Sequence, residues 1–158
     1  MKKIAVLYSE YSPVIDAIKY SLQDCTIDCL TTAKNPGDYD LIICLNNNKT
    51  EGNAIACHHS LLPAFECDEP EKEAILNGVK ITGITIYYIN TKKIIAQYPV
   101  FINNDTHYDD LMQELTYIEQ TLLPVITKKL INNEPFEVQK LINKGCVGAC
   151  GGCSSCSH

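Results

Sequence analysis

Positions 3–8 form a near-continuous apolar run of the kind seen in strands covered on both faces. Ser12-Pro13 then predicts a helix start: serine can cap, proline suits the first helical position, and Val14, Ile15, Ile18 and Leu22 recur at helical spacing. A short strand is expected over 26–30. After the turn residues Asn35-Pro36-Gly37-Asp38, a strongly apolar strand follows over 40–45. This β-α-β-β opening is that of a shortened Rossmann-like half.

Segment 46–53 is polar and precedes another apolar strand, 54–58. That link is shorter than the dozen or so residues a parallel crossover usually takes, so these two strands are expected to pair as a hairpin or not to be parallel neighbours. Glu69-Pro70-Glu71 opens a helix through Leu76, with acids at its positive end, and Asn77-Gly78 stops it. Segments 79–89 and 93–101 alternate as strands and read as a hairpin turned at Asn90-Thr91-Lys92. A long helix is predicted over 107–131, capped by Asp105 or Thr106 and kinked at Pro124. Leu111, Leu115, Ile118, Leu122, Val125 and Ile126 should face the core. Beyond 132 the chain turns polar, and from Gly145 it is a Gly/Cys/Ser tail. The expected division is one domain over 1–132 and a linker with a Cys-rich tail over 133–158, without internal repeats.

A length of 158 residues suits a single domain with a real core. The net charge of −6, with no basic cluster beyond the pairs Lys2-Lys3, Lys92-Lys93 and Lys128-Lys129, argues against nucleic acid as a partner. The N-terminus begins like a signal peptide, but its apolar run is short and meets Glu10. No run approaches the roughly 18 apolar residues of a membrane helix, so a soluble cytoplasmic protein is expected.

Of nine cysteines, Cys146, Cys150, Cys153 and Cys156 crowd the C-terminus, interleaved with glycines. Such spacing lets backbone wrap around a small inorganic centre, and it is the ferredoxin order of gaps reversed. Four thiolates also satisfy zinc. An iron-sulfur cluster is therefore expected ahead of zinc, with a redox or metal partner protein. A flexible thiol-rich tail without a fixed metal is the plain alternative. The first three cysteines match the spacing of radical S-adenosylmethionine enzymes, but the barrel those enzymes need is not encoded here. Cys57 and His59 could share one face of a strand, a weak two-ligand signal.

The motif-bearing stretch is His58-His59-Ser60-Leu61-Leu62-Pro63-Ala64-Phe65, then Gly78-Val79-Lys80-Ile81-Thr82-Gly83, then Ile94-Ile95-Ala96-Gln97. It resembles the core of the folate-dependent formyltransferases, the glycinamide ribonucleotide and methionyl-tRNA formyltransferase superfamily. That family reads Asn-x-His-Pro-Ser-Leu-Leu-Pro, Gly-Val-x-x-Thr-Gly, and a loop with a catalytic Asp before Ile-x-x-Gln. The resemblance implies an α/β, Rossmann-like formyltransferase fold shortened in its N-terminal half. It also implies His58 as the surviving catalytic group and a folate-facing loop of Ser60, Leu61, Leu62 and Pro63. If the chain is active, 10-formyltetrahydrofolate is the implied cofactor.

Two of the family's three catalytic groups are not found. Ala56 stands where the family has Asn, and the Asp loop is missing; losing one oxyanion donor typically costs about 2.7–4 kcal/mol of transition-state stabilisation. Asn53 should project from the opposite strand face, and Asn90 and Asp105 do not match the motif. Where glycinamide ribonucleotide formyltransferases carry a Gly-rich phosphate loop, this chain has Ser9-Glu10-Tyr11-Ser12, and Glu10 would repel a phosphate. With neither a tRNA-gripping domain nor a basic surface, tRNA is not expected either. The Asn90-Thr91-Lys92 turn in place of the Asp loop is expected to remove one wall of the folate cleft. Two readings follow. One is a family member without standard formyl transfer whose working part is a metal-binding tail. The other is an active formyltransferase using His58 on an unknown small amine.

Overall fold

The computed structural model describes residues 1–46, 50–138 and 140–141. The chain runs β1 (Lys3–Leu7), α1 (Pro13–Ser21), β2 (Thr26–Leu30), a 3-10 turn (Pro36–Asp38), β3 (Leu41–Cys44), β4 (Ala54–His58), α2 (Pro70–Leu76), β5 (Ile81–Tyr88), β6 (Ile94–Phe101) and α3 (Tyr108–Ile131). The six strands form one mixed sheet in the order β2-β1-β3-β4-β5-β6. The first four are parallel, and β5 and β6 are antiparallel additions at one side. The fold class is α/β. The Cys-rich tail lies outside the described residues.

Strand alternation sorts the core into two layers. Ile4, Val6, Ile43 and Ile55 point to one face, where they pack with Val14, Ile15 and Ile18 of α1, Ala74 of α2, and Leu111, Leu115, Leu122 and Ile126 of α3. Ala5, Leu7, Ile42, Cys44, Ala54 and Ala56 point the other way, against Tyr39, Tyr87 and Ile89. α1 starts as its residues dictate, with Ser12 Oγ accepting from the Val14 N–H at 3.3 Å and Pro13 in the first turn.

Three expectations are corrected. β3 and β4 are parallel neighbours, with Ile42 opposite Ala54 and Cys44 opposite Ala56. The short link suffices because the strands overlap over so few residues that the chain has little distance to climb back. The cap of α3 is not Asp105 or Thr106. Both are used in a turn centred on Asn103, whose Oδ1 accepts the Asp105 N–H at 2.9 Å and whose N–H donates to Thr106 Oγ1 at 3.1 Å. His107 precedes the helix, and its backbone N–H donates to Asp110 at 3.2 Å. On α3, Val125 is exposed, whereas Glu119, Leu123 and Thr127 are buried. The helix continues through Pro124. Among the described residues no helix is long and apolar enough to cross a membrane.

Candidate functional site

In open α/β sheets ligand sites form beyond the carboxyl ends of the strands. A cavity of about 640 Å³ lies there, bordered by Cys44 and Leu45 at the end of β3, by Ala56, Cys57 and His58 of β4 with His59 just past it, and by Tyr87 of β5 with Ile89 just past it. The hairpin turn supplies Asn90 and Lys92 to the rim, α2 supplies Glu71, and α3 supplies Glu119. The wall expected to be lost with the Asp loop is thus built from the turn itself. Asn90 Nδ2 anchors that turn by donating to the Gly52 carbonyl at 2.6 Å. The Lys92 ammonium lies 5.1 Å from the centre of the Tyr87 ring and 3.4 Å from Glu66.

His58 lines this cavity half-buried, and its Nε2 lies 2.9 Å from the Phe65 carbonyl. A carbonyl oxygen only accepts, so Nε2 carries the hydrogen of this contact. Phe65 sits in the left-handed region, at φ 50°, an uncommon conformation for a bulky residue. Ala56 pairs with Tyr87 across the β4–β5 ladder and brings no polar side chain to the site. Asn53 lies outside the cavity and donates to the Asp40 carbonyl at 2.8 Å.

Within Ser60, Leu61, Leu62 and Pro63, the side chains do different jobs. Leu62 borders the cavity. Ser60 is fully buried and donates to the Ala64 carbonyl at 2.5 Å. The loop is tied to β5 and β6 through Thr85: its hydroxyl donates to the Ser60 carbonyl at 2.7 Å and accepts the Leu62 N–H at 3.0 Å. Gln97 Nε2 reaches both the Leu62 carbonyl at 3.0 Å and Thr85 Oγ1 at 3.1 Å. Leu61 lies against Gly83, where a Cβ would come within 2.8 Å of Leu61 Cδ2 and 2.0 Å of the Tyr98 carbonyl. The glycine and the glutamine of the quoted motifs therefore hold the loop in place. The candidate ligands Cys146, Cys150, Cys153 and Cys156 lie outside the described residues.

The Cys57–His59 pair noted in the sequence has two further partners, Glu71 and Glu119, that the sequence did not reveal. His59, just past β4, is gripped from both sides: Nδ1 lies 2.6 Å from Glu71 of α2, and Nε2 lies 2.8 Å from Glu119 of α3. Burial works against a charge on this imidazole. The hydrogen bonds and charges of Glu119 and Glu71 outweigh it and raise the pKa to about 9. Burial likewise disfavours charge on Glu71, but His59 prevails and lowers it. Cys57 shares a strand face with His59, and burial, followed by the Glu119 charge, pushes its thiol well above the ordinary value. The signal for Glu119 was present in α3: it stands four residues after Leu115 and three before Leu122, in the middle of the buried stripe.

The Formyl transferase family profile matches residues 41–127, the stretch that holds β3, β4, the motif loop, the hairpin and most of α3. The chain belongs to the formyl transferase family. It is 33% identical over 84 residues to the phosphoribosylglycinamide formyltransferase of Bacillus subtilis, covering 51% of this chain and 43% of that one. It is 37% identical over 84 residues to the methionyl-tRNA formyltransferase of Halalkalibacterium halodurans, covering 51% and 26%. The matched stretch thus spans less than half the length of either relative. The solved phosphoribosylglycinamide formyltransferase of Bacillus halodurans superposes with a TM-score of 0.68 at 21% identity, covering 82% of this chain and 95% of that one. At that identity the superposition establishes the shared fold.

Proposed function

We propose that this member of the formyl transferase family does not carry out standard folate-dependent formyl transfer and that its cavity binds a small molecule. The observation that carries this reading is the state of His58. Its Nε2–H is committed to the Phe65 carbonyl, and the strand position two residues before it is Ala56. Formyl transfer needs donors aimed at the developing oxyanion. A ring whose Nε2–H is already engaged, beside a side chain that offers nothing, does not supply them. The loop after β1 points the same way, since Glu10 is exposed there and the Tyr11 hydroxyl donates to Asp16, an arrangement unsuited to a phosphate.

The second reading, an active formyltransferase acting on a small amine, draws on the cavity itself. Its size falls within the range of ligand sites, and His58 lines it. The two are separated by assaying formyl transfer from 10-formyltetrahydrofolate to glycinamide ribonucleotide and to a panel of small amines, with folate binding followed by calorimetry. No turnover and no tight folate binding are expected. Turnover abolished by His58→Ala would overturn the reading.

The tail carries the remaining part of the proposal. Cys146, Cys150, Cys153 and Cys156 bind an iron-sulfur cluster or zinc, supported by four thiolates at close spacing among glycines. The full chain purified anaerobically should carry iron and sulfide, or one equivalent of zinc more than the protein in which these four become serine. Metal content unchanged by the substitution would refute it.

A further inference from the structure

Cys57 Sγ, a nitrogen of His59 and a carboxylate oxygen of Glu119 lie within 4.8 Å of one another, and all three residues border the cavity. They come from the end of β4, the residue after it, and the middle of α3. From these contacts we propose that Cys57, His59 and Glu119 form a zinc site, with a fourth coordination position open to the cavity.

The donor set suits this metal. Thiolate, imidazole and carboxylate are all zinc ligands, and three protein ligands with one open position is the pattern of reactive rather than structural zinc sites. The geometry is close to what coordination demands. Ligand bonds of about 2.0–2.3 Å in a tetrahedron place donor atoms about 3.3–3.8 Å apart. The His59 Nε2 to Glu119 contact of 2.8 Å therefore opens by about half an ångström as the ion enters, while Cys57 Sγ, within 4.8 Å of both, closes by up to about 1 Å.

The surroundings add an independent argument. Zinc-bound histidines almost always give their second ring nitrogen to a carboxylate or carbonyl, which orients the ring. Here Nδ1 of His59 is held by Glu71 at 2.6 Å, leaving Nε2 directed toward Glu119. Both glutamates are buried, at 7% and 9% exposure. Burying two carboxylates around one imidazole is costly for stability alone, and an ion pair by itself leaves the adjacent thiol without a purpose. Binding releases two protons, that of the Cys57 thiol and the one His59 Nε2 shares with Glu119, and replaces the direct His59–Glu119 bond with two bonds to the metal. The site uses none of the four tail cysteines and stands whether or not formyl transfer survives.

The test uses the full chain with Cys146, Cys150, Cys153 and Cys156 changed to serine, so that metal held by the tail does not contribute. This protein should bind one equivalent of Zn2+ in competition with a chelator. With Co2+ as probe it should show a thiolate-to-cobalt charge-transfer band and intense visible bands of a four-coordinate ion. Cys57→Ser should remove the charge-transfer band. Glu71→Gln should keep the band and weaken binding by about 10–100-fold. Failure of the tail-substituted protein to bind Zn2+ would overturn the proposal without recourse to any further variant. So would a Co2+ spectrum unchanged by Cys57→Ser.

Discussion

Thr85→Val tests whether the motif loop is held by the hydroxyl that joins it to the sheet. Thr85 is fully buried, and its Oγ1 serves the Ser60 carbonyl, the Leu62 N–H and Gln97 Nε2 at 2.7, 3.0 and 3.1 Å. Valine keeps the branched shape suited to β5 and removes the hydroxyl. Gln97 still reaches the Leu62 carbonyl, so the orphaned groups are the Ser60 carbonyl and the Leu62 N–H. Each of the two buried groups left without a partner costs about 1–3 kcal/mol, and the added methyl returns about 0.8 kcal/mol, so a net loss of about 1–5 kcal/mol is expected. Urea unfolding followed by circular dichroism measures it, read as a lower midpoint at unchanged slope. Thr121→Val on the exposed side of α3, where the hydroxyl donates to the Tyr117 carbonyl of the preceding turn, is the control and should stay within about 0.5 kcal/mol. A loss below about 1 kcal/mol for Thr85→Val would show that the loop does not depend on this hydroxyl.

In the metal-free protein the His59 cluster should set a pH window. The groups facing the imidazole are Glu71 of α2, Glu119 of α3 and Cys57 of β4, with His58 adjacent in the chain. Its pKa is raised from 6.5 to about 9, so its stabilisation is complete below 6.5 and is lost as pH climbs through 9. Glu71, lowered from 4.5, stabilises above that value and ceases to as pH falls below it. Unfolding midpoints measured with chelator present should therefore be highest between these limits and drop on the alkaline side; a flat alkaline limb in the wild type, unaltered by Glu119→Gln, would contradict this. Gly83→Ala should sharply reduce the unfolding temperature or the yield of folded protein, because the new methyl would lie 2.0 Å from the rigid Tyr98 carbonyl. An unchanged melting temperature would mean that β5 and β6 are free to separate at this point.

The elements of this protein were legible in its sequence because helix and strand periods, caps and turn residues are local properties. Ser12-Pro13, the apolar blocks that became β1 and β3, and the hairpin around Asn90-Thr91-Lys92 needed no tertiary information. The motif spaced from His58 to Gln97 was also enough to indicate the family. Tertiary structure decided what those motif residues do. Gln97, Gly83 and Ser60 lie on different segments, and only the stacking of β5 and β6 beside β4 reveals that they shape one loop. It also decided that β3 and β4 run parallel, since the needed crossover length depends on strand overlap, which the chain does not state. The contrast is strongest at His59. Its two carboxylates are 12 and 60 residues away and reach it because α2 and α3 pack on the same face of the sheet. Glu119 looked like one more polar residue in a helix, yet its place in a buried stripe means that it must find a partner, and only the packing of α3 over the end of β4 names that partner.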